Sequence, residues 1–308
     1  RAGDSIVAVV RAAVDDNGAV LPVAPEILHL WSPDDPFLYD VELRLLRNDV
    51  VVDVVESYFG AREVGIAEDE EGVTRLILNG EPVFHLGLLD QGWWPDGLYT
   101  APTDEALAFD IEATRRMGFN TIRKHVKVEP ARWYWHADRL GLLVWQDMPT
   151  GDGGAIRYQQ ILLQAWDIFS ASMDGKFQRE LSRSPESAEY FREELSAMID
   201  YLESFPSVVA WVPFNEAWGQ FDTDNILAEV SRRDPSRLVD GPSGWLDFGT
   251  GDIRDLHVYD QELEFVDELP VGRALVYGEF GGLGLPLKNH LSVESGWGYT
   301  GFENVEAY

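Results

Sequence analysis

The sequence predicts two parts: the later strands of an antiparallel β-sandwich over residues 1–65, then a (β/α)8 barrel over residues 81–308 that stops before its last strand. Residues 66–80 read as a linker. Three observations predict this. Apolar and polar residues alternate in the first part, the mark of half-buried strands. From about residue 80, short apolar runs alternate with helical patterns, as parallel β/α units do. Polar residues of chemical use then recur at the ends of those apolar runs, where a barrel keeps its chemistry.

In the first part, "SIVAVVRAAV" is a strand candidate, and "LYDVELRLLR" places Val41, Leu43 and Leu45 on one face with Glu42 and Arg44 on the other. Asn48-Asp49 supplies a turn and "VVVDVVESYFG" returns. The acidic "AEDEEGV" reads as a linker or solvated turn.

In the second part, "PVFHLGLLD" is the first strand. Thr103 caps a helix with Asp104 and Glu105 in its first turn and Gly118 at its end. "FNTIRKH" is the second strand, "ARWYWHADRLG" a helix and "LLVWQDMP" the third strand. Residues 150–183 read as a long insertion. Phe191, Leu195, Met198, Leu202 and Phe205 mark one face of a helix that Pro206 stops. "VVAWVPFN", "RLVDGPS", "IRDLHVY" and "ALVYGEF" are strands four to seven, with a helix around Ile226, Leu227 and Val230. No eighth strand follows, and the region falls short of the ~250 residues of a complete barrel.

Composition narrows the function. The chain has no cysteine, so thiol catalysis, disulfides and cysteine metal sites are excluded. A formal net charge of −30 disfavours nucleic acid and anionic membranes as partners. No apolar run approaches the ~20 residues of a membrane span. Only four of the 24 basic residues are lysines (Lys124, Lys127, Lys176, Lys288), a bias that suits high salt and that a GC-rich genome gives as well. The chain begins at Arg1 without a charged-then-apolar leader and reads as an internal fragment. Eleven tryptophans exceed ordinary core needs and fit sugar recognition, where rings stack on pyranose C–H faces.

The predicted strand ends carry Asp90-Gln91-Gly92-Trp93-Trp94, Arg123-Lys124-His125, Trp145-Gln146-Asp147, Asn215-Glu216, His257-Val258-Tyr259 and Glu279. Parallel strands are otherwise buried and apolar, so polar groups at six ends in register imply a site. Glu216 and Glu279 follow strands four and seven, on opposing sides of the mouth. Glycoside hydrolysis needs such a pair: one acid for the leaving oxygen, one nucleophile or base. Asn215 suits a sugar hydroxyl and Tyr259 can donate to Glu279. Arg123 would keep Glu279 ionised, and Glu216 needs a raised pKa, which burial beside Trp218 would provide. Trp93, Trp94 and Trp297, in polar glycine-rich loops, are platform candidates. His125, Asp147 and His257 lack tight ligand spacing, so neither a metal nor a cofactor is expected. A carbohydrate-binding barrel without catalysis is the rival of another class, but it has no need of both glutamates.

"NEAWGQ", "YGEFGGLGLP", "FNTIRKHVKVEPARWYWHADRLGLLVWQDMP" and "GPSGWLDFGTGDIRDLHVY" together resemble glycoside hydrolase family 2, the β-galactosidase, β-glucuronidase and β-mannosidase group. "LWSPDDPFLYDVELRLL" and "FGAREVGI" resemble the immunoglobulin-like domain that precedes its TIM barrel. The resemblance implies retention of configuration, with Glu216 as acid/base and Glu279 as nucleophile, their carboxyls ~5–5.5 Å apart. It implies substrate contacts from Arg123, Asn215 and Tyr259, and candidates beside them are Asp90, Trp93, Trp94, His125, Asp147, Trp218, Trp245, His257 and Trp297. An Asn-x-Lys feature that family glucuronidases use for a substrate carboxylate does not follow Glu279; only Lys288-Asn289 is found. The expected substrate is an oligosaccharide or glycoside with a terminal neutral β-linked sugar, as for a β-galactosidase. Another family specificity or an endo-acting glycanase is the alternative.

Overall fold

The computed structural model describes residues 1–3, 5–15, 18–24, 28–150, 183–259, 263, 266, 269–289, 291, 296 and 298–308. Most of the expected insertion over 150–183 lies outside them, as does Trp297.

Strands β1 (Tyr39–Arg47) and β2 (Val50–Phe59) form an antiparallel hairpin. Its turn residues Asn48 and Asp49 both have positive φ (51° and 60°), the conformation that matches the twist of two-residue hairpins. Most apolar side chains of this ribbon are exposed, Leu43 and Leu45 among them. Residues 5–14, expected as a strand, are not one: apart from a bridge at Ser5 they lack strand pairing, and Ile6 and Val9 face solvent. An apolar run becomes a strand only beside another strand, and none of the described residues offers that partner.

The expected linker over 66–80 is also corrected. Strands β3 (Val64–Glu68), β4 (Thr74–Leu78) and β5 (Glu81–Pro82) form an antiparallel sheet. The acidic residues between β3 and β4 close its turn. Asp69 Oδ1 accepts hydrogen bonds from the backbone N–H groups of Glu71 and Val73, and Arg75 Nε donates to its other oxygen. Asp in such a turn is a structural acceptor, not a mark of solvated chain.

The second part alternates strand and helix in the expected order. Strand β6 (Gly87–Asp90) precedes helix α1 (Asp104–Arg116), and β7 (Thr121–Lys124) precedes α2 (Ala131–Leu140). Then come β8 (Leu143–Asp147), α3 (Pro185–Leu202), β9 (Val208–Val212), α4 (Thr223–Arg233) and β10 (Leu238–Val239). Strands β11 (Ile253–Val258) and β12 (Ala274–Phe280) follow. Thr103 caps α1 by accepting from the Ala106 N–H, and Gly141 ends α2 at φ 72°. The strands β6 to β10 form one parallel sheet in chain order. A parallel bridge from Asp240 to Ile253 continues it to the parallel pair β11–β12. The described arc thus holds seven consecutive barrel strands.

Two apolar layers hold this arc. Outside it, Ile111, Trp133, Phe191, Leu195, Ile199, Ile226 and Val230 on the helices pack on Ile122, Val144 and Trp211. Within it, Leu143, Trp145, Ala210, Leu238, Ile253 and Ala274 meet Leu76 and Leu78 of β4 and Trp31. The residues once expected as linker therefore plug the barrel. Trp31 is fully buried, and its Nε1–H donates to the Asp138 carbonyl of α2 at 2.7 Å. Trp31→Ala is expected to cost about 3–5 kcal/mol, because a bulky side chain leaves a cavity and a carbonyl without its donor. Urea unfolding checks this; a loss under about 1 kcal/mol would mean that the plug is not held through Trp31.

Candidate active site

The expected residues converge at the C-terminal ends of the parallel strands. The β9–β10 pairing continues past β9: Asn215 bridges Ser243, the Glu216 N–H donates to the Ser243 carbonyl (2.8 Å), and the Ser243 N–H donates to the Phe214 carbonyl (3.0 Å). Glu216 and Ala217 then adopt left-handed φ of 48° and 61°. Each such non-glycine residue costs on the order of 1–3 kcal/mol, a strain that concentrates at functional sites. Its effect is to turn the Glu216 carboxylate inward, toward β11 and β12.

Arg123 on β7 is the hub. It is almost fully buried, with Nε and Nη2 donating to the two oxygens of Asp147 (2.9 and 3.0 Å). Nη2 also donates to Asn215 Oδ1 (2.8 Å) and Nη1 to Glu279 Oε1 (3.1 Å). Its pKa is raised: burial opposes the charge, but Asp147, Glu279 and Asp255 outweigh it.

The two glutamates meet across Tyr259. Its hydroxyl lies 2.5 Å from Glu216 Oε1 and 2.7 Å from Glu279 Oε2. Oxygens of the two carboxylates and a ring nitrogen of His257 all fall within 4.8 Å of one another. Burial and these carboxylates push the Tyr259 hydroxyl far above its usual pKa, so it stays a neutral donor. The Tyr299 ring stacks on it at 3.8 Å.

His257 has a fully buried side chain. Its Nδ1 lies 2.9 Å from Glu216 Oε1, and its Nε2 lies 2.8 Å from Ser243 Oγ and 3.5 Å from Asp255 Oδ2. Ser243 Oγ also bonds Asp255 Oδ2 (2.7 Å), which the Gly278 N–H steadies at the other oxygen. Burial alone would lower the pKa of His257, but bonds to Asp255 and Glu216 and the charges of Asp255 and Glu279 raise it to about 9. Behind it, buried Asp240 is pushed well above the carboxylate range by burial and by the Asp255 charge.

These contacts correct one expectation. Glu216 was expected to have a raised pKa; it is lowered. Burial does raise it, but the hydrogen bonds from His257 and Tyr259, the His257 charge and a bond from Trp218 win. Two of the expected substrate contacts are enclosed by protein. Asp147 is fully buried and spends its oxygens on Arg123 and the Val126 N–H, so it holds Arg123 and is closed to a ligand. His257 is likewise enclosed and serves Glu216.

The remaining candidates divide. Asn215 has committed Oδ1 to Arg123, which leaves its Nδ2 amide to offer a ligand. His125 Nδ1 faces Gln91 Nε2 at 3.1 Å, so the ring proton belongs on Nε2. That nitrogen has no hydrogen-bond partner among the described residues and lies 3.7 Å from Glu279 Oε1. Asp90 accepts from Lys124 Nζ (2.8 Å). Trp93, more than half exposed, meets Tyr99 edge-on at 4.5 Å, and Trp245 is 40% exposed. No hydrogen bond, ion pair or ring contact of the described residues joins Asp90, Trp93, Trp94 or Trp245 to either glutamate. Asp90 ends β6, and Trp93, Trp94 and Trp245 lie beyond the strands, after β6 and β10.

Sequence reading missed Ser243 and Asp255. The signal for Asp255 was present: Asp255, His257 and Tyr259 alternate along one strand and so share a face. Ser243 gave none, since its role depends on where β10 ends against β11. As for a cation, Glu216, His257 and Glu279 are the close group of donor atoms.

A parallel β/α barrel with one glutamate at the end of its fourth strand and another at the end of its seventh has the architecture of the barrel glycosidases. Comparison gives the family. Residues 6–62 match the family model of glycosyl hydrolases family 2, and residues 99–260, more than half of the chain, match its TIM barrel domain. The chain belongs to glycosyl hydrolase family 2. It is 26% identical over 246 residues to a β-galactosidase of Photobacterium profundum, covering 78% of this chain and 21% of that protein. In fold it is similar to a family 2 β-galacturonidase of Eisenbergiella tayi (TM-score 0.62, 19% identity, 86% of this chain and 46% of that one). It is similar also to a β-D-glucuronidase of Dictyoglomus thermophilum (TM-score 0.59, 18% identity, 75% and 38%). The chain spans about a fifth of the length of the first curated relatives it matches. No helix among the described residues is long and apolar enough to cross a membrane.

Proposed function

We propose that residues 81–308 are the catalytic barrel of a retaining glycoside hydrolase, preceded by part of an immunoglobulin-like domain. It removes terminal β-linked neutral sugars and is β-galactosidase-like. Glu279 is the nucleophile and Glu216 the acid/base. The observation that carries the reading is the approach of the two carboxylates to within 4.8 Å across Tyr259. Retaining enzymes hold the pair ~5–5.5 Å apart, whereas inverting enzymes leave ~6.5–9.5 Å for a water. Glu279 attacks the anomeric carbon while Glu216 protonates the departing oxygen. Glu216 then takes a proton from the water that frees the sugar. Arg123 fixes Glu279 through its 3.1 Å contact, and the Tyr259 hydroxyl, set between the two carboxylates, donates to one of them at a time. Asn215 Nδ2 and His125 Nε2 are the donors that remain for sugar hydroxyls.

Pairing of the nearby cations supports a neutral sugar. Arg123 is spent on Asp147, Asn215 and Glu279; Lys124 on Asp90 and Glu129; Lys127 on Glu129. A uronate would find no unpaired cation among these three. The test is a panel of 4-nitrophenyl β-glycosides, with the anomer of the first product followed by NMR. Turnover of the β-galactoside with a β-configured first product is expected, and the β-glucuronide should be poor. An α first product would overturn the pair's roles. Failure to cleave any β-glycoside would overturn the reading.

A further inference from the structure

An acid catalyst must carry a proton when the substrate arrives, yet Glu216 sits in surroundings that favor its ionised form. The geometry around His257 shows where such a proton can reside. Ser243 Oγ has a single proton and touches both Asp255 Oδ2 (2.7 Å) and His257 Nε2 (2.8 Å). A carboxylate only accepts, so the hydroxyl donates to Asp255 and accepts from Nε2–H. At the other end of the ring, Nδ1 faces Glu216 Oε1 at 2.9 Å, and a carboxylate there requires a second N–H. Both nitrogens therefore donate, and the ring is an imidazolium.

We propose that Glu216 and His257 form an acid dyad sharing one proton, with His257 as the positioning residue that stores the proton Glu216 delivers to the leaving oxygen. This inference rests on the proposed glycosidase reading and deepens it. In the first step the Nδ1–H bond breaks and an O–H bond forms on Glu216. That O–H then breaks as the C1–O bond breaks, with the bond's electrons and the proton going to the departing oxygen, while a Glu279 oxygen bonds C1. His257 is left neutral and Glu216 anionic. In the second step water's oxygen bonds C1 as the C1–Glu279 bond breaks and its electrons return to Glu279, while the water's proton goes to Glu216 and on to Nδ1, so the cycle closes without another reactant.

The groups facing His257 decide how firmly it holds this proton. Glu216 after β9, Asp255 on its own strand and Glu279 of β12 at 3.7 Å favor the charge. Arg123 Nη1 of β7 at 3.4 Å opposes it. Ser243 and Tyr259 are neutral partners, and burial and the Asp255 charge push the nearby Asp240 carboxyl above the carboxylate range. Gly244 makes the close fit possible, because a Cβ there would fall 2.8 Å from Nδ1.

The experiment compares kcat/KM against pH for the full chain and its His257→Asn and Ser243→Ala variants, on a phenyl and a 2,4-dinitrophenyl β-glycoside. In the parent the alkaline limb, where the dyad loses its proton, lies well above neutrality. In His257→Asn it moves to lower pH by about one unit or more, as Glu216 must hold the proton alone. The phenyl substrate loses on the order of 10²-fold at pH 8, and the dinitrophenyl substrate, which needs little protonation, only a few-fold. Ser243→Ala shifts the limb in the same direction by less. A limb that stays in place, with both substrates slowed equally, means a structural role and overturns the dyad. If His257→Asn does not fold, 15N NMR of the parent's histidines at pH 7.5 decides: His257 with both nitrogens protonated is expected, and a neutral tautomer overturns the proposal. An inactive parent would sink the glycosidase reading, and the NMR result would still judge the dyad.

Discussion

Glu279→Ala is expected to lower kcat/KM on aryl β-glycosides by on the order of 10⁴-fold or more, since removal of a nucleophile takes away the covalent intermediate. Azide then restores turnover by direct attack from the opposite face, and the product is the α-glycosyl azide. Glu216→Ala behaves differently. It keeps the nucleophile, so a dinitrophenyl glycoside still glycosylates the enzyme, while release of the sugar stalls without a base. Azide needs no base, and here it yields the β-azide. The loss on a poor leaving group is about 10²–10⁴-fold. Product anomers read by NMR check both variants. Swapped anomers would reverse the two roles, and full activity in either variant would refute the pair.

Substitution of Arg123 is expected to be nearly as damaging, for two separable reasons. Arg123→Met leaves Asp147 fully buried without its cation, and stranding a buried charge costs about 3–5 kcal/mol. It also frees Glu279 from its 3.1 Å contact and Asn215 from its 2.8 Å contact, so the nucleophile loses charge support and position. Arg123→Met/Asp147→Asn removes the stranded charge. Urea unfolding should show stability largely recovered in the double variant, while activity stays as low as in the single one. Recovery of both together would mean that Arg123 serves the fold alone. Lysine is no substitute, because one ammonium cannot span Asp147, Asn215 and Glu279.

Much of this frame is written in local sequence. The runs "LLVWQDMP" and "VVAWVPFN" are apolar because strands β8 and β9 are covered on both sides, and Thr103 and Gly141 mark helix ends through their own capping chemistry. Glu216, Glu279, Arg123, Asn215 and Tyr259 were legible because polar groups at the ends of buried strands need a reason. Other features are set by partners distant in the chain. The acids at residues 68–71 resemble solvated linker until Asp69 is seen closing the β3–β4 turn. "SIVAVVRAAV" has the composition of a strand, but pairing decides whether it becomes one. The protonation of Glu216 was the deepest miss. Burial beside Trp218 argued for a raised pKa, and only the meeting of β9, β10 and β11 at His257 and Ser243 reverses the sign.

The central claim, that Glu279 attacks the sugar and Glu216 moves the proton, is tested most directly by trapping the intermediate. A 2-deoxy-2-fluoro β-galactoside with a dinitrophenyl leaving group slows both steps, release more than formation, so the glycosyl-enzyme accumulates. Peptide mass spectrometry of the inactivated full chain locates the added sugar. The account predicts one fluorosugar per chain, on the peptide carrying Glu279, with Glu216 unlabelled. A label on Glu216, or steady turnover of β-galactosides in a protein whose Glu279 peptide never takes the label, would contradict it.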